Sequence, residues 1–123
     1  MNRIPILKLH NILLISIQTD LHDVIIQALQ EDILTEISRT GAKGALIDIS
    51  ALDIVDSFMA RTLRDCGMMA SMLGAKVVIT GIQPAVAITL VDLGLDLSGI
   101  TTACDIDTGF EYLHKEAGIP DFK

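Results

Sequence analysis

The sequence predicts an α/β fold: a mixed β-sheet of about five strands with about four α-helices packed on it. Short apolar runs alternate with amphipathic helical patterns along the whole chain, and no Pro/Ser-rich linker, charge run or internal repeat divides them. The order of these segments reads β, β, α, β, α, β, α, β, α, which is the pattern of a mixed sheet. At 123 residues, the whole chain, residues 1–123, is expected to form one domain.

Ile4 to Leu9 and Ile12 to Ile17 read as two short strands joined at His10-Asn11, an antiparallel hairpin. Asp20 can cap a helix whose apolar face, Leu21, Val24, Ile25, Ala28, Leu29, Ile33 and Ile37, continues to Thr40, where Gly41 offers a stop. Gln27, Gln30, Glu31, Asp32, Thr35 and Arg39 make its solvated face. Ala45 to Ile49 is a buried strand, and Lys76 to Thr80 is another, rich in β-branched residues that suit a pleated surface. Between them a helix runs from about Ser57 to Leu73 and is closed by Gly74. Pro84 to Leu93 forms a short helix with a favourable early proline and an end at Gly94. Thr101 to Cys104 gives a last strand, and Asp107 to Ala117 a last helix before Gly118.

Half of the residues are apolar, yet the aromatic ones are only Phe58, Phe110, Phe122 and Tyr112, so the core must be built from Ile, Leu, Val, Met and Ala. The formal net charge of −7 and an isoelectric point near 4.6 have the wrong sign for neutralising phosphates, which argues against nucleic acid or a membrane surface as partner. A mean hydropathy of +0.53 is high for so small a chain and implies that some apolar surface lies between subunits. Pro84 to Leu93 shows the same excess, because Thr89 and Asp92 are its only polar side chains and one sheet cannot cover its whole circumference. The longest strictly apolar stretch near the start, Ile12 to Ile15, is far short of the roughly 18 residues that span a bilayer, so no signal peptide or anchor is expected. Cys66 and Cys104 lack CxxC spacing and read as reduced core residues of a cytoplasmic protein.

The most informative segment runs from Asp48 to Arg61, where a strand enters a loop and Ser57 then stands at the first turn of a helix. Unpaired backbone N–H groups and the helix dipole favour negative charge there, although Ser57 or Asp56 can equally be a simple cap. On a helical wheel Met59, Thr62, Leu63, Cys66, Met69, Ala70 and Leu73 share the core side, while Ser57, Arg61, Arg64, Met68 and Met72 fall on the other. A hydroxyl beside arginines and adaptable methionines reads as a docking surface for a partner or as a contact between identical subunits. Arg61 is expected to pair with Asp65 at i+4.

That segment, with Ile79-Thr80-Gly81-Ile82-Gln83-Pro84, Leu93-Gly94-Leu95 and the opening Ile4-Pro5-Ile6-Leu7-Lys8-Leu9, resembles the STAS domains of anti-sigma factor antagonists. The resemblance covers nearly the whole chain, and its specific part is Asp56-Ser57 at the helix start. Many antagonists continue with a second Ser and a Gly; here Phe58-Met59 follow, which points to the small single-domain scaffold proteins of the bacterial stressosome. The resemblance implies a STAS-type mixed sheet, Ser57 as the phosphoacceptor of a partner serine kinase of the RsbT type, and co-assembly with RsbR-like paralogues into a large hollow particle. Thr89 is a second candidate for modification. The chain would then be a substrate and scaffold rather than a catalyst, with sigma factor activation as the output.

Enzyme readings have less to rest on. Ser57 lacks a Gly-x-Ser-x-Gly elbow, and His10, His22 and His114 lie in three different elements, so neither a triad nor a metal site is expected. Asp48, Asp53 and Asp56 have the look of a magnesium site on loops after a strand, but Asp48 and Asp53 more simply satisfy loop N–H groups and Asp56 assists the cap. Gly74, Gly81 and Gly94 are isolated turn glycines, with no Walker or dinucleotide loop, and no cofactor is expected. The alternative function is a small α/β ligand-binding module or enzyme that uses the acidic loop around Asp53 and Asp56.

Overall fold

Pro5 has no N–H to give to a ladder, and strand β1 starts just after it, at Ile6–Leu9, in the computed structural model, which describes residues 4–19, 21–95, 97, 100–116 and 118. β1 pairs antiparallel with β2 (Ile12–Ser16), with Leu9 opposite Ile12 and Leu7 opposite Leu14. His10, at φ 57°, makes the tight turn between them. From β2 onwards the chain alternates helix and strand: α1 (Asp23–Thr40), β3 (Gly44–Asp48), α2 (Ser57–Met72), β4 (Lys76–Thr80), α3 (Pro84–Asp92), β5 (Thr101–Ala103) and α4 (Ile106–Glu116). The strands lie in sequence order, and β2, β3, β4 and β5 are parallel. This is the mixed five-stranded sheet and four helices that the alternation predicts, a STAS-type α/β fold.

Side-chain alternation sorts the strands onto two faces. Leu13, Ile15, Ala45, Ile47, Val77 and Ile79 point to the face that packs α1, α2 and Val86 of α3 in one apolar cluster. Ile12, Leu46 and Val78 point to the other, where Leu113 of α4 covers them. Fully burying each Ile or Leu contributes roughly 1.5–3 kcal/mol, so the aliphatic composition suffices without large aromatic side chains. α4 sits unusually close: a Cβ on Gly109 would come within 2.7 Å of Leu46 Cδ1 and 2.9 Å of Thr80 Cγ2. Because the strands are parallel, their C-terminal ends and the starts of α2, α3 and α4 gather at one end of the sheet, where the candidate site lies.

Several local expectations are corrected. The N-cap position of α1 is His22, whose side chain makes no capping hydrogen bond; Asp20, the expected cap, lies outside the described residues, and the buried row of the helix is Ile26, Leu29, Ile33 and Ile37. Val24, two residues before Ile26, is therefore swung outwards and is exposed. Gln30 is drawn from the solvated face to the α1–α2 contact, where its amide donates to the Thr62 carbonyl at 3.1 Å. In α2 the buried arc includes the small residues Ala60 and Gly67, which admit close approach, so Met69 slips to the flank; Leu73, past the last turn, is half exposed. Cys104 follows the end of β5 in the turn to α4 and is exposed, whereas Cys66 is buried; both are free thiols. The expected end of the last helix at Ala117 lies outside the described residues.

Candidate functional site

Ser57 is the first residue of α2, and the residue before it does the capping: Asp56, extended at φ −83° and ψ 174°, accepts from the Met59 N–H through Oδ1 at 2.8 Å. Of the two capping readings, the structure selects Asp56, which leaves Ser57, a half-buried residue, with a hydroxyl the cap does not use. The loop that delivers it, residues 49–56, is held at several points. Leu52 and Val55 are buried among the α2 side of the core. The Ser50 hydroxyl donates to Asp48 Oδ2 at 2.6 Å, and Gln83 Nε2 donates to the Ser50 carbonyl at 2.7 Å from the loop after β4. Asp48 is buried, and its other oxygen accepts from the Thr80 hydroxyl at 2.8 Å. Gly81, at φ 75°, lets the second loop pass: a Cβ there would stand 2.6 Å from Ser50 Cβ and 2.9 Å from Ser50 Cα.

The outward face of α2 carries Ser57, Arg61, Arg64, Met68 and Met72 at helical spacing, as the wheel predicts. Met68 and Met72 are 50% and 83% exposed, so this face is apolar beyond its first two turns. The expected Arg61–Asp65 pair is not formed. Arg64, whose stem is partly buried, takes the Asp65 carboxylate instead at 3.0 Å, and Arg61 is left exposed with no ion pair among the described residues. Thr89 lies on α3, half buried, with its hydroxyl turned back to the Ala85 carbonyl at 3.1 Å.

The acidic residues separate. Asp48 is spent on Ser50 and Thr80, and it satisfies the Ser50 N–H at 3.4 Å; Asp56 is spent on the cap. Asp53 is exposed and accepts no hydrogen bond from the loop backbone among the described residues, contrary to expectation, because the turn closes through the Leu52 N–H to the Ile49 carbonyl instead. Among the described residues no three His, Cys, Asp or Glu side chains cluster to hold a metal ion, and the histidines stay apart, in the β1–β2 turn, before α1 and on α4. No helix among these residues is long and apolar enough to cross a membrane. Sequence reasoning missed two contributors: the Thr80, Gly81 and Gln83 brace, whose partners are remote in sequence, and Ile54, 64% exposed beside the serine. The signal for Ile54 was present, since Leu52, Ile54 and Val55 cannot all face inwards from so short a loop.

Comparison with known proteins places this geometry in a family. The STAS domain model matches residues 3–107. A solved structure of RsbS from Moorella thermoacetica, with one serine replaced by glutamate, is 40% identical, has a TM-score of 0.84 and covers 96% of this chain and 100% of its own. A chain from the stressosome, described as a signal integration and transduction hub, is 43% identical with a TM-score of 0.79, over 92% of this chain and 98% of its own. The RsbT co-antagonist protein RsbRA of Bacillus subtilis (strain 168) is 30% identical over 83 residues, 68% of this chain, and the chain spans only 30% of that relative's length.

Proposed function

The chain belongs to the STAS domain family, and on that premise we propose that it is a phosphorylatable scaffold of a stressosome-type complex, similar to RsbS. In this reading residues 1–123 act as one STAS domain in the cytoplasm. The domain assembles with RsbR-like paralogues, sequesters an RsbT-type serine kinase, and releases it when Ser57 is phosphorylated, leading to sigma factor activation. The protein is then a substrate, with no catalytic residue, metal or cofactor of its own. One observation carries the reading: Ser57, half-buried as a residue and free of the capping duty that Asp56 performs, stands at the first turn of a helix on a braced loop.

The similarity to RsbS and to the stressosome chain over nearly their full lengths supports the scaffold role. That the solved RsbS carries a glutamate in place of a serine fits a protein in which a serine gains negative charge. The test is incubation with ATP alone and then with ATP and a purified RsbT-type kinase, followed by mass mapping and a kinase pull-down. Phosphate is expected on Ser57 only when the kinase is present. Ser57→Ala should retain the kinase and Ser57→Asp should lose it while melting as a folded protein. Turnover of ATP by the chain alone would instead favour the acidic-loop enzyme, and equal retention by both variants would sink the switch.

A further inference from the structure

The fold uses most of the β3–α2 loop for its own purposes: Leu52 and Val55 for the core, Ser50 for the brace, and Asp56 for the cap. Beyond the small Ala51, two side chains have no such use. Asp53 is exposed and has no hydrogen bond or ion pair among the described residues, and Ile54 is 64% exposed. With Leu52 and Val55 anchored on either side, local rearrangement cannot tuck Ile54 away, so its exposure is set by packing rather than by chance mobility.

Ile54 also stands in an electrostatic setting. Asp53 and Asp56 are exposed on the loop itself, Asp23, Asp105 and Asp107 are exposed at the starts of α1 and α4 at the same end of the sheet, and Arg61 lies one turn into α2. Two of these carboxylates are placed by capping, Asp56 on the Met59 N–H and Asp105 on the Thr108 N–H, yet both still carry their charge outwards. The Thr108 N–H that meets it, by backbone hydrogen bonding first, holds the Asp105 carboxyl below its usual range. An enzyme that reaches Ser57, three residues on, therefore meets an exposed apolar side chain with an exposed carboxylate on either side of it in the loop, Asp53 and Asp56.

We propose that Ile54 is the recognition anchor for the kinase that phosphorylates Ser57, entering an apolar pocket bordered by basic side chains on that kinase's substrate face. The proposal rests on the reading of Ser57 given above and names what selects that serine. Ile54 touches the kinase body, not the reacting atoms, so its loss weakens binding and leaves the phosphoryl transfer step alone.

The experiment measures phosphorylation of the full-length chain by a purified RsbT-type kinase with ATP, over a range of chain concentrations. Wild type, Ile54→Ala, Ile54→Leu and Asp53→Asn are compared, with thermal melts alongside. Ile54→Ala should raise KM about tenfold with kcat within about twofold, Ile54→Leu should restore most of the loss, and the melts should overlay because the side chain is exposed. Asp53→Asn should raise KM less, and added salt should narrow its difference from wild type. Phosphate on Ser57 with an unchanged KM for Ile54→Ala, or a loss confined to kcat, overturns this proposal alone. A wild-type chain that takes up phosphate elsewhere overturns the reading of Ser57 and this proposal with it.

Discussion

A phosphate on Ser57 would meet three fixed features: the open N–H groups of the first turn of α2, the Arg61 guanidinium one turn on, and the carboxylates of Asp53 and Asp56. The first two hold it, and a phosphoserine adds about −1.5 to −2 charge at pH 7, placed where the acceptor hydroxyl would face the phosphates of the nucleotide in the kinase's active site. Arg61 need not abandon another partner for this, because Asp65 is taken by Arg64. A like-charge contact at an interface can cost several kcal/mol, enough for about a hundredfold loss of affinity, so charge alone can release a kinase while the fold stays intact. The thiols give an independent check of single-residue burial. Desolvation pushes the Cys66 thiol up to about 12, while Cys104 stands exposed in the turn before α4. We expect an aromatic disulfide reagent to titrate one thiol per native chain rapidly and two after unfolding; two rapid thiols in the native protein would contradict the buried position. At this scale the sequence was legible wherever a residue acts through its neighbours in the chain. Asp56 as the cap and Ser57 as the presented hydroxyl are of this kind. It was illegible at Cys104 and Asp53, whose surroundings are decided by where a strand stops and how a turn closes.

Among the elements, the loop before α2 depends on the loop after β4. Asp48, Ser50, Thr80 and Gln83 form one chain of hydrogen bonds across adjacent parallel strands, and Gly81 allows the two backbones to touch. Gly81→Ala would place a Cβ into Ser50 in a left-handed backbone. The expected loss is about 2–5 kcal/mol, the sum of roughly 1–2 for the conformation and roughly 1–3 for overpacking. Gly41→Ala carries the first part alone, since that glycine has a similar φ of 69° and nothing within 4 Å of its Cβ position, so the difference between the two variants gives the second. Chemical denaturation of the two variants should show Gly81→Ala as clearly the more damaging, and its phosphorylation at Ser57 should slow because the serine is no longer held in place. Equal losses would mean that the brace is not under compression. The elements themselves were readable from periodicity and punctuation: all five strands and four helices lie where apolar runs and amphipathic stretches place them, with ends shifted by a residue or two. The brace was not, because its partners are 32 and 33 residues apart and only strand pairing brings them together.

Over the whole molecule, a single sheet with helices on both faces leaves apolar helix surfaces uncovered on α3 and on α2 among the described residues. One is the outer side of α3, where Ile88 and Val91 are 62% and 79% exposed and only Val86 is fully buried. The other is the outer side of α2 towards its end, with Met68 and Met72. The excess hydropathy and the polar-poor Pro84–Leu93 segment announced the first surface from the sequence, and the wheel announced the second, but neither says what covers it. Geometry assigns them differently. Met68 and Met72 lie about 17 and 22 Å along the helix from Ser57 at 1.5 Å per residue, within the patch roughly 30 Å across that an interface of about 800 Å² per partner occupies. A kinase whose footprint has Ser57 towards one edge and runs along α2 reaches them, and flexible methionines suit a partner that binds and leaves. α3 carries neither Ser57 nor the loop that presents it, and its aliphatic side chains suit a permanent contact between STAS domains. The two surfaces should then fail separately. Met68→Glu or Met72→Glu should weaken kinase capture about tenfold and leave assembly unchanged, whereas Val91→Glu with Ile88→Glu should disperse the assembly and spare capture by the free domain. Sedimentation with and without RsbR-like paralogues reads the first quantity and a pull-down reads the second. All four positions tolerate charge without unfolding, because each is already at least half exposed. If the α2 variants dissolve the assembly, or the α3 variants lose the kinase, the assignment of surfaces must be exchanged; if neither set changes either quantity, both assignments fail.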